Sequence, residues 1–486
     1  MGSLRDSAVF GVKWMGVSGI LLLILHLVQT SLLAHLLPRD DFGLMGMVLV
    51  VIGFAQAFSD LGLSNAIIYR QDIKDDTLSS IYWLNLISGF TIAAVIGSAS
   101  WKIASFYQDS RLIDPVFLAT LTFAISPFGL PFQVLLQRNL KFGCLSVIEV
   151  FSSICGVVVG VGLAWVGFGV FSLIWGLLTN TIVKAVLLVF AGWRIWHPRA
   201  HFHRGDLKGF FSFGFYQMGE RGVNFLSANM DYLLIGRFLG AEVLGVYVLA
   251  YRLVIQPLTR LNPILTRVAF PIFSKRQSDD AALCRGYLEV SRLLGFVGFP
   301  VLVGLGVTAP IFVPLFLGDG WESTIYLVQI LIPVGIWKCL GNPLGSILLA
   351  KGRVDIGFKF NFFTFAVYIL AFRCAVEFGI FTVAGVYTIL GAVVFGVGQA
   401  ILKSSIGLGF TIYFSAIIRW LTMSLVMGFI VFFAEKYLNN WIFDQLYLQI
   451  SLTILGIFVY GLLGVVFESK FLKELWKWIA LYRKEI

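Results

Sequence analysis

The stretch WMGVSGILLLILHLVQTSLLAHLL (14–37) decides the fold. It runs without a single Asp, Glu, Lys or Arg. A helix rises about 1.5 Å per residue, so this run is long enough to cross a hydrocarbon core of about 30 Å. It exceeds the apolar centre of a signal peptide, and no small-residue cleavage site follows it, so it reads as a retained span. Similar runs follow at 43–68, 78–101, 115–136, 146–166, 168–193, 210–235, 243–271, 290–317, 324–350, 360–376, 380–402, 413–434 and 445–467, which makes fourteen. The longest polar breaks between them are only about 16 residues, near 197–206 and 274–289.

Composition agrees. Of 486 residues, 58% are hydrophobic and 13% charged, with a mean hydropathy of +0.89. A soluble domain carries about 25% charged residues, so cytosolic enzyme, secreted disulfide scaffold and disordered linker all fit poorly. A membrane β-barrel would show alternating segments of about ten residues, and these runs are longer and evenly apolar. The five cysteines are scattered with no CxxC pair, which argues against a disulfide or zinc framework. There is no P-loop and no GxGxxG after a strand, so any nucleotide-driven motor would have to come from another chain. The expectation is an all-α polytopic membrane protein of about fourteen transmembrane helices.

Charge sets the orientation. With the N-terminus placed in the cytoplasm and sides alternating, cytoplasmic segments hold 22 of the 36 Lys and Arg residues and the opposite side holds five. Positive charge marks the inner side, so both termini are expected in the cytoplasm. The net charge of +10 is therefore not a nucleic-acid signal: the asymmetry of the loops is topology, and the remaining surplus lies inside the spans.

A repeat underlies the spans. AHLLPRDDFG (34–43) and GRFLGAEVLG (236–245) occupy corresponding positions 202 residues and six spans apart. An even number of spans leaves the halves in the same orientation, a parallel repeat about an axis along the membrane normal. The expected organisation is a six-helix lobe over 1–208, a second over 209–403, two further helices over 404–467 and a basic amphipathic tail over 468–486. In that tail Lys473, Lys477, Arg483 and Lys484 mix with Trp476 and Trp478, the pattern of a helix lying on the inner membrane surface.

Ionisable side chains inside spans are costly and mark function by default. The spans hold nine bases against four acids, concentrated in the seventh and eighth. At 100° per residue, Arg252, Gln256, Arg260, Pro263, Arg267, Thr259 and Thr266 share a stripe about 120° wide. Such a stripe faces water or a partner helix, and its surplus arginines suit an anion. In the seventh span Tyr216, Glu220, Asn224, Ser227 and Asp231 fall within about 80°, with Gln217 and Arg221 beside them. Gln56, Asp60 and Ser64 share a face of the second span, and Ser18, His26, Gln29 and Thr30 a face of the first. Arg221, Arg252, Arg260, Arg267, Gln256 and Asn224 are thus the candidate residues for binding a substrate. Asp60, Glu220, Asp231 and His26 are the candidates for a coupling ion.

Blander readings stand beside these. Arg292, Arg373 and Arg419 lie near span ends and read as snorkelling side chains, as do Lys184 and Glu149. An interhelical salt bridge competes at Asp60, Arg252 and Arg260, and a structural role at Arg267. His26 reads more readily as a satisfied polar residue than as a proton relay. His197, His201 and His203 sit in a basic loop without an acidic or cysteine partner, which favours solvation over a metal.

Four segments carry a resemblance: FSDLGLSNAIIYRQ (58–71), PFQVLLQRNLKF (131–142), SANMDYLLIGRFLGAEVLGVYVLAYRL (227–253) and RVAFPIFSKRQSD (267–279). They resemble the Wzx-like polysaccharide flippases of the polysaccharide transporter family, within the multidrug/oligosaccharidyl-lipid/polysaccharide exporter superfamily. The colanic and teichuronic acid exporter branch looks most similar. LGVYVLAYRL, followed by Pro257 and AFPIFSK, is the most specific piece, and the last two spans match in hydropathy only. The resemblance implies a flippase of the bacterial inner membrane, working by alternating access on a cation gradient of H+ or Na+. Its cargo would be an undecaprenyl-diphosphate-linked oligosaccharide repeat unit, its surroundings membrane lipids, and a polysaccharide polymerase complex a possible partner. No catalytic residue, cofactor or metal is expected, and no nucleic acid. A drug or organic-cation antiporter of the same superfamily should have an acidic cavity, and a polymerase or ligase a large loop outside the membrane. Neither feature is present. A peptidoglycan-precursor flippase would share the architecture and stays open as an alternative.

Overall fold

The computed structural model describes residues 2–59, 75–203, 205, 211–275, 279–341, 343–439, 444–469, 471 and 473. Side chains are described within these except at 2–13, 15, 211–218, 220, 259–275 and 354. The expected surface helix of the tail lies almost wholly outside the described residues.

The described residues are helical almost throughout, with no strand among them. The first helices are α1 (Gly2–Leu36), α2 (Arg39–Ser59), α3 (Asp75–Ser98), α4 (Ser100–Tyr107), α5 (Ile113–Arg138), α6 (Phe142–Trp165) and α7 (Val170–Gly192). Then come α8 (Phe211–Ala228), α9 (Met230–Lys275), α10 (Asp280–Leu317), α11 (Glu322–Gly341) and α12 (Pro343–Ala350). The last are α13 (Val354–Ala375), α14 (Ile380–Ile406), α15 (Phe410–Leu438) and α16 (Gln445–Phe467).

Thirteen segments of the described residues are long and apolar enough to cross a membrane. One of them, Met230–Leu258, contains Gly240 at φ 83°, ψ 179°. This is a conformation open essentially to glycine alone. Sixteen residues along a straight helix span about 24 Å, yet the Tyr247 hydroxyl donates to the Asp231 carboxylate at 2.8 Å. The ring of Tyr232 meets that of Tyr247 edge-on with centroids 5.8 Å apart. The chain therefore reverses at Gly240. Upstream, the Asn229 N–H donates to the Phe225 carbonyl and the Leu233 N–H to the Asn229 carbonyl, both at 3.1 Å, so helical bonding carries α8 on to the turn. Phe211–Leu239 is one pass and Ala241–Lys275 the next, which brings the passes among the described residues to fourteen. Helix α8 falls outside the thirteen apolar segments because Gln217, Glu220, Arg221 and Asn224 dilute its hydropathy.

The chain forms two compact units: Met1–Val248 with Asn361–Ile380, and Leu249–Phe360 with Phe381–Ile486. In the first, Leu78, Ile81, Phe132, Leu135, Leu136 and Leu188 belong to one buried core. Helices α6 and α7 approach through small residues. A Cβ at Gly156 would lie 2.7 Å from the Gly176 carbonyl oxygen, and one at Gly176 2.9 Å from that of Gly156. Close backbone approach of this kind replaces the hydrophobic drive that lipid cannot supply.

The same unit holds the two repeated segments against each other. Gly43 lies against the carbonyl of Ala241, Gly245 against the carbonyl of Arg39, and neither leaves room for a Cβ. A Cβ at Gly46 would sit 2.9 Å from Val248 Cγ2. With the offset of 202 removed, residue 39 meets 43, 43 meets 39, and 46 meets 46. That reciprocity is what a two-fold relation between the repeats requires.

Two polar clasps fix loops of this unit. Arg111 donates to Asp40 at 2.9 Å and to Asp109 at 2.7 Å, tying the turn before α5 to the start of α2. These hydrogen bonds from Arg111 hold the Asp109 carboxyl below its usual range. At the opposite end of the helices, Arg199 reaches Asp75 at 3.0 Å and Asp76 at 3.2 Å. The Arg199 and His203 N–H groups donate to Ser79 and Ser80.

The second unit packs α10, α11, α12, α14, α15 and α16 around Tyr287, Phe299, Leu402, Tyr413 and Trp420, each at most 2% exposed. Trp420 packs edge-on to Phe296, and the Tyr460 hydroxyl donates to the Phe296 carbonyl at 2.9 Å.

Candidate functional site

The two polar stripes lie on consecutive helical passes joined at Gly240. On the returning pass, Arg252 and Gln256 are half-buried, and both have polar or aromatic partners. Arg252 lies eleven residues, about 17 Å of helix, beyond Ala241, well inside an apolar segment long enough to cross a membrane. An arginine stem cannot bring its guanidinium to the interface from there, so the group must be held by protein, water or ligand. Arg260 and Arg267 lie on the same helix, and their side chains are outside the described residues.

On the preceding pass Arg221 is half-buried and Asn224 exposed, while the Glu220 side chain is outside the described residues. Asp231 is only 1% exposed. It accepts from the Tyr247 hydroxyl at 2.8 Å and from the Tyr232 N–H at 2.9 Å. The reversal at Gly240 thus sets this candidate carboxylate against the returning helix. Just past the turn, Glu242 lies 3.5 Å from Arg39 in a solvent-exposed ion pair.

In the first span His26 is half-buried, and its carbonyl accepts from the Thr30 hydroxyl at 2.8 Å. Ser18 donates to Ser146 at 3.2 Å, so part of that span's polar face meets α6. Asp60 lies outside the described residues.

Several bland readings find partners. Lys184 lies 3.9 Å from Glu149, joining α6 and α7. Arg373 pairs with Glu377 at 2.6 Å and lies over the Phe238 ring, and Arg419 pairs with Glu468 at 2.8 Å. In the histidine loop, His203 Nδ1 accepts from the Gly205 N–H at 3.1 Å. Among the described residues, no three His, Cys, Asp or Glu side chains gather as a metal site.

One grouping escaped the sequence reading. Lys338 of α11 donates to the Tyr251 hydroxyl and lies 5.0 and 5.4 Å from the ring centroids of Tyr251 and Tyr387. The two rings are parallel within 6°. Lys338 is one of the nine bases inside the spans, but nothing in its own segment names the tyrosines, which come from α9 and α14.

Comparison with known proteins gives a consistent picture. The family described as polysaccharide biosynthesis protein matches residues 32–326. The teichuronic acid biosynthesis protein TuaB of Bacillus subtilis (strain 168) is 37% identical over 440 residues, 89% of this chain and 90% of that one. The lipopolysaccharide biosynthesis protein WzxC of Escherichia coli (strain K12) is 36% identical over 361 residues, 74% of this chain and 73% of its own. The solved structure of the lipid II flippase MurJ in an inward closed conformation matches with a TM-score of 0.78 at 14% identity. It covers 94% of this chain and 99% of that one, and shows a shared fold. The fourteen passes, the length of the match and the level of identity agree: this multi-pass membrane protein belongs to the polysaccharide biosynthesis protein family, among its Wzx-like flippases.

Proposed function

We propose that the chain carries an undecaprenyl-diphosphate-linked oligosaccharide repeat unit from the cytoplasmic to the outer leaflet of the bacterial inner membrane, with both termini in the cytoplasm. The observation that carries this reading is Arg252, half-buried about 17 Å along its pass, with Gln256 one turn on. A fixed cation at that depth suits an anion that must cross, and a diphosphate linker is such an anion. Arg260, Arg267, Arg221 and Asn224 are the further candidates for binding the cargo.

In this reading the cargo moves by alternating access, driven by H+ or Na+, with Asp60, Glu220, Asp231 and His26 as candidates for the coupling group. The division into lobes at 208 and the supply of cargo to a polysaccharide polymerase complex belong to the same proposal. The test is deletion of the gene in the native bacterium, followed by analysis of lipid-linked glycans on the cytoplasmic face. A repeat unit that accumulates there and clears on complementation supports the reading and identifies the sugar. Accumulation of a peptidoglycan precursor instead would assign the alternative cargo, and no accumulation would overturn both.

A further inference from the structure

We propose that Lys338, with Tyr251 and Tyr387, forms an anion-binding subsite in the second compact unit, taking a phosphate or carboxylate group of the cargo. The inference rests on the lipid-linked cargo proposed above and adds a residue and a helix to it.

Depth is the first argument. Lys338 lies 16 residues after Glu322 and 12 before Ala350 in the segment Glu322–Ala350. The first separation is about 24 Å of helix, and beyond Lys338 the segment continues through the end of α11 and then α12. A lysine side chain reaches about 6 Å, too short to snorkel from mid-depth, where a charge is expensive unless something compensates it.

The second argument is what surrounds the ammonium. Among the described residues no carboxylate lies within ion-pairing distance of it. Its partners are the Tyr251 hydroxyl and the faces of the Tyr251 and Tyr387 rings. Aromatic faces stabilise a cation without neutralising it. Lysine has three donors, so with one given to Tyr251 others remain for a ligand. The residue is half-buried, which leaves it within reach.

The third argument is position in sequence. Tyr251 directly precedes Arg252 on the same helix, about 100° around it, so the subsite and the candidate arginine belong to neighbouring faces of one helix. An ammonium with donors to spare is built to hold an anion. The parallel tyrosine pair orients the ammonium; the ammonium binds.

The test uses the full-length protein in lipid nanodiscs and three probes: farnesyl diphosphate, farnesol and glucuronate. Lys338→Met keeps the side-chain volume and removes the charge, and Lys338→Arg keeps the charge. The expected result is at least a tenfold loss of diphosphate or glucuronate binding in Lys338→Met, unchanged farnesol binding, and retention within about threefold in Lys338→Arg. Loss confined to the diphosphate assigns the linker, and loss confined to glucuronate assigns an acidic sugar. Either supports the subsite. Wild-type affinity for both anions in Lys338→Met overturns it, as does an equal loss of farnesol binding, which would make the lysine structural. Should Lys338→Met fail to fold, Lys338→Gln carries the same comparison. If the wild-type protein binds neither anion, the cargo reading itself falls.

Discussion

The Asp231 carboxylate and the Tyr247 hydroxyl are hydrogen-bonded at 2.8 Å across a chain reversal, and the carboxylate is almost wholly shielded from solvent. Removing a donor from a buried acceptor costs about 1–3 kcal/mol. Tyr247→Phe should lower the thermal unfolding midpoint of the detergent-solubilised protein accordingly. The double variant with Asp231→Ala separates causes: if Tyr247→Phe is as harmful there as in the wild type, the hydrogen bond is not its source.

The reversal makes its own prediction. A Cβ at Gly240 meets nothing within 4 Å, so space is available, but φ is +83°. Gly240→Ala should therefore destabilise through backbone strain alone, by about 1–3 kcal/mol. A variant as stable as wild type in thermal unfolding would mean that the turn tolerates a side chain.

Arg252→Ala and Arg260→Ala should each reduce surface polysaccharide at least tenfold while the protein still inserts at normal abundance. Whole-cell polymer and membrane protein are measured in parallel. Normal polymer output from both variants would remove the arginine stripe from the cargo path.

Coupling is tested by neutralising carboxylates. Asp60→Asn and Asp231→Asn keep the shape of the side chain and remove its charge. The variant that alters the dependence of transport on an imposed proton or sodium gradient, assayed in proteoliposomes, identifies the coupling group. An unchanged dependence removes that residue from the candidates.

The Arg111 clasp predicts a pH dependence. Hydrogen bonds from Arg111 depress the Asp109 carboxyl below its ordinary value of 3.8. A carboxyl depressed in the folded state adds stability above that value, and the contribution is lost as pH falls through the lower, folded value. Arg111→Ala should lower the unfolding midpoint at pH 7 and matter progressively less below pH 3.8. An equal effect at both ends of the range would rule out the ionised pair as its source.

The spans were legible because lipid demands length and apolarity, and runs such as 14–37 supply both. The pass through Phe211–Leu239 also reads from the sequence, although its polar face takes α8 below the usual hydropathy of a span. Gly240 stood in the repeated segment, but its positive φ depends on the chain folding back to bring Tyr247 onto Asp231. Side-chain partnerships were less legible. Lys184 and Glu149 read as snorkelling residues because their pairing depends on how α6 and α7 face each other. Lys338 looked like one more charge in a span, since Tyr251 and Tyr387 come from helices 87 and 49 residues away in sequence. Periodicity gives the face of one helix, while a subsite needs the faces of three.

The reciprocal glycines carry a consequence for ancestry. Two identical copies related by a dyad make each contact twice, and here one polypeptide makes such a pair with itself, Gly43 on Ala241 and Gly245 on Arg39. The crossing has the geometry that fusing two copies across a homodimer interface would produce. Fusion would free the two sides to differ, as Arg39 and Ala241 do, while both glycines are needed because each must admit a backbone carbonyl.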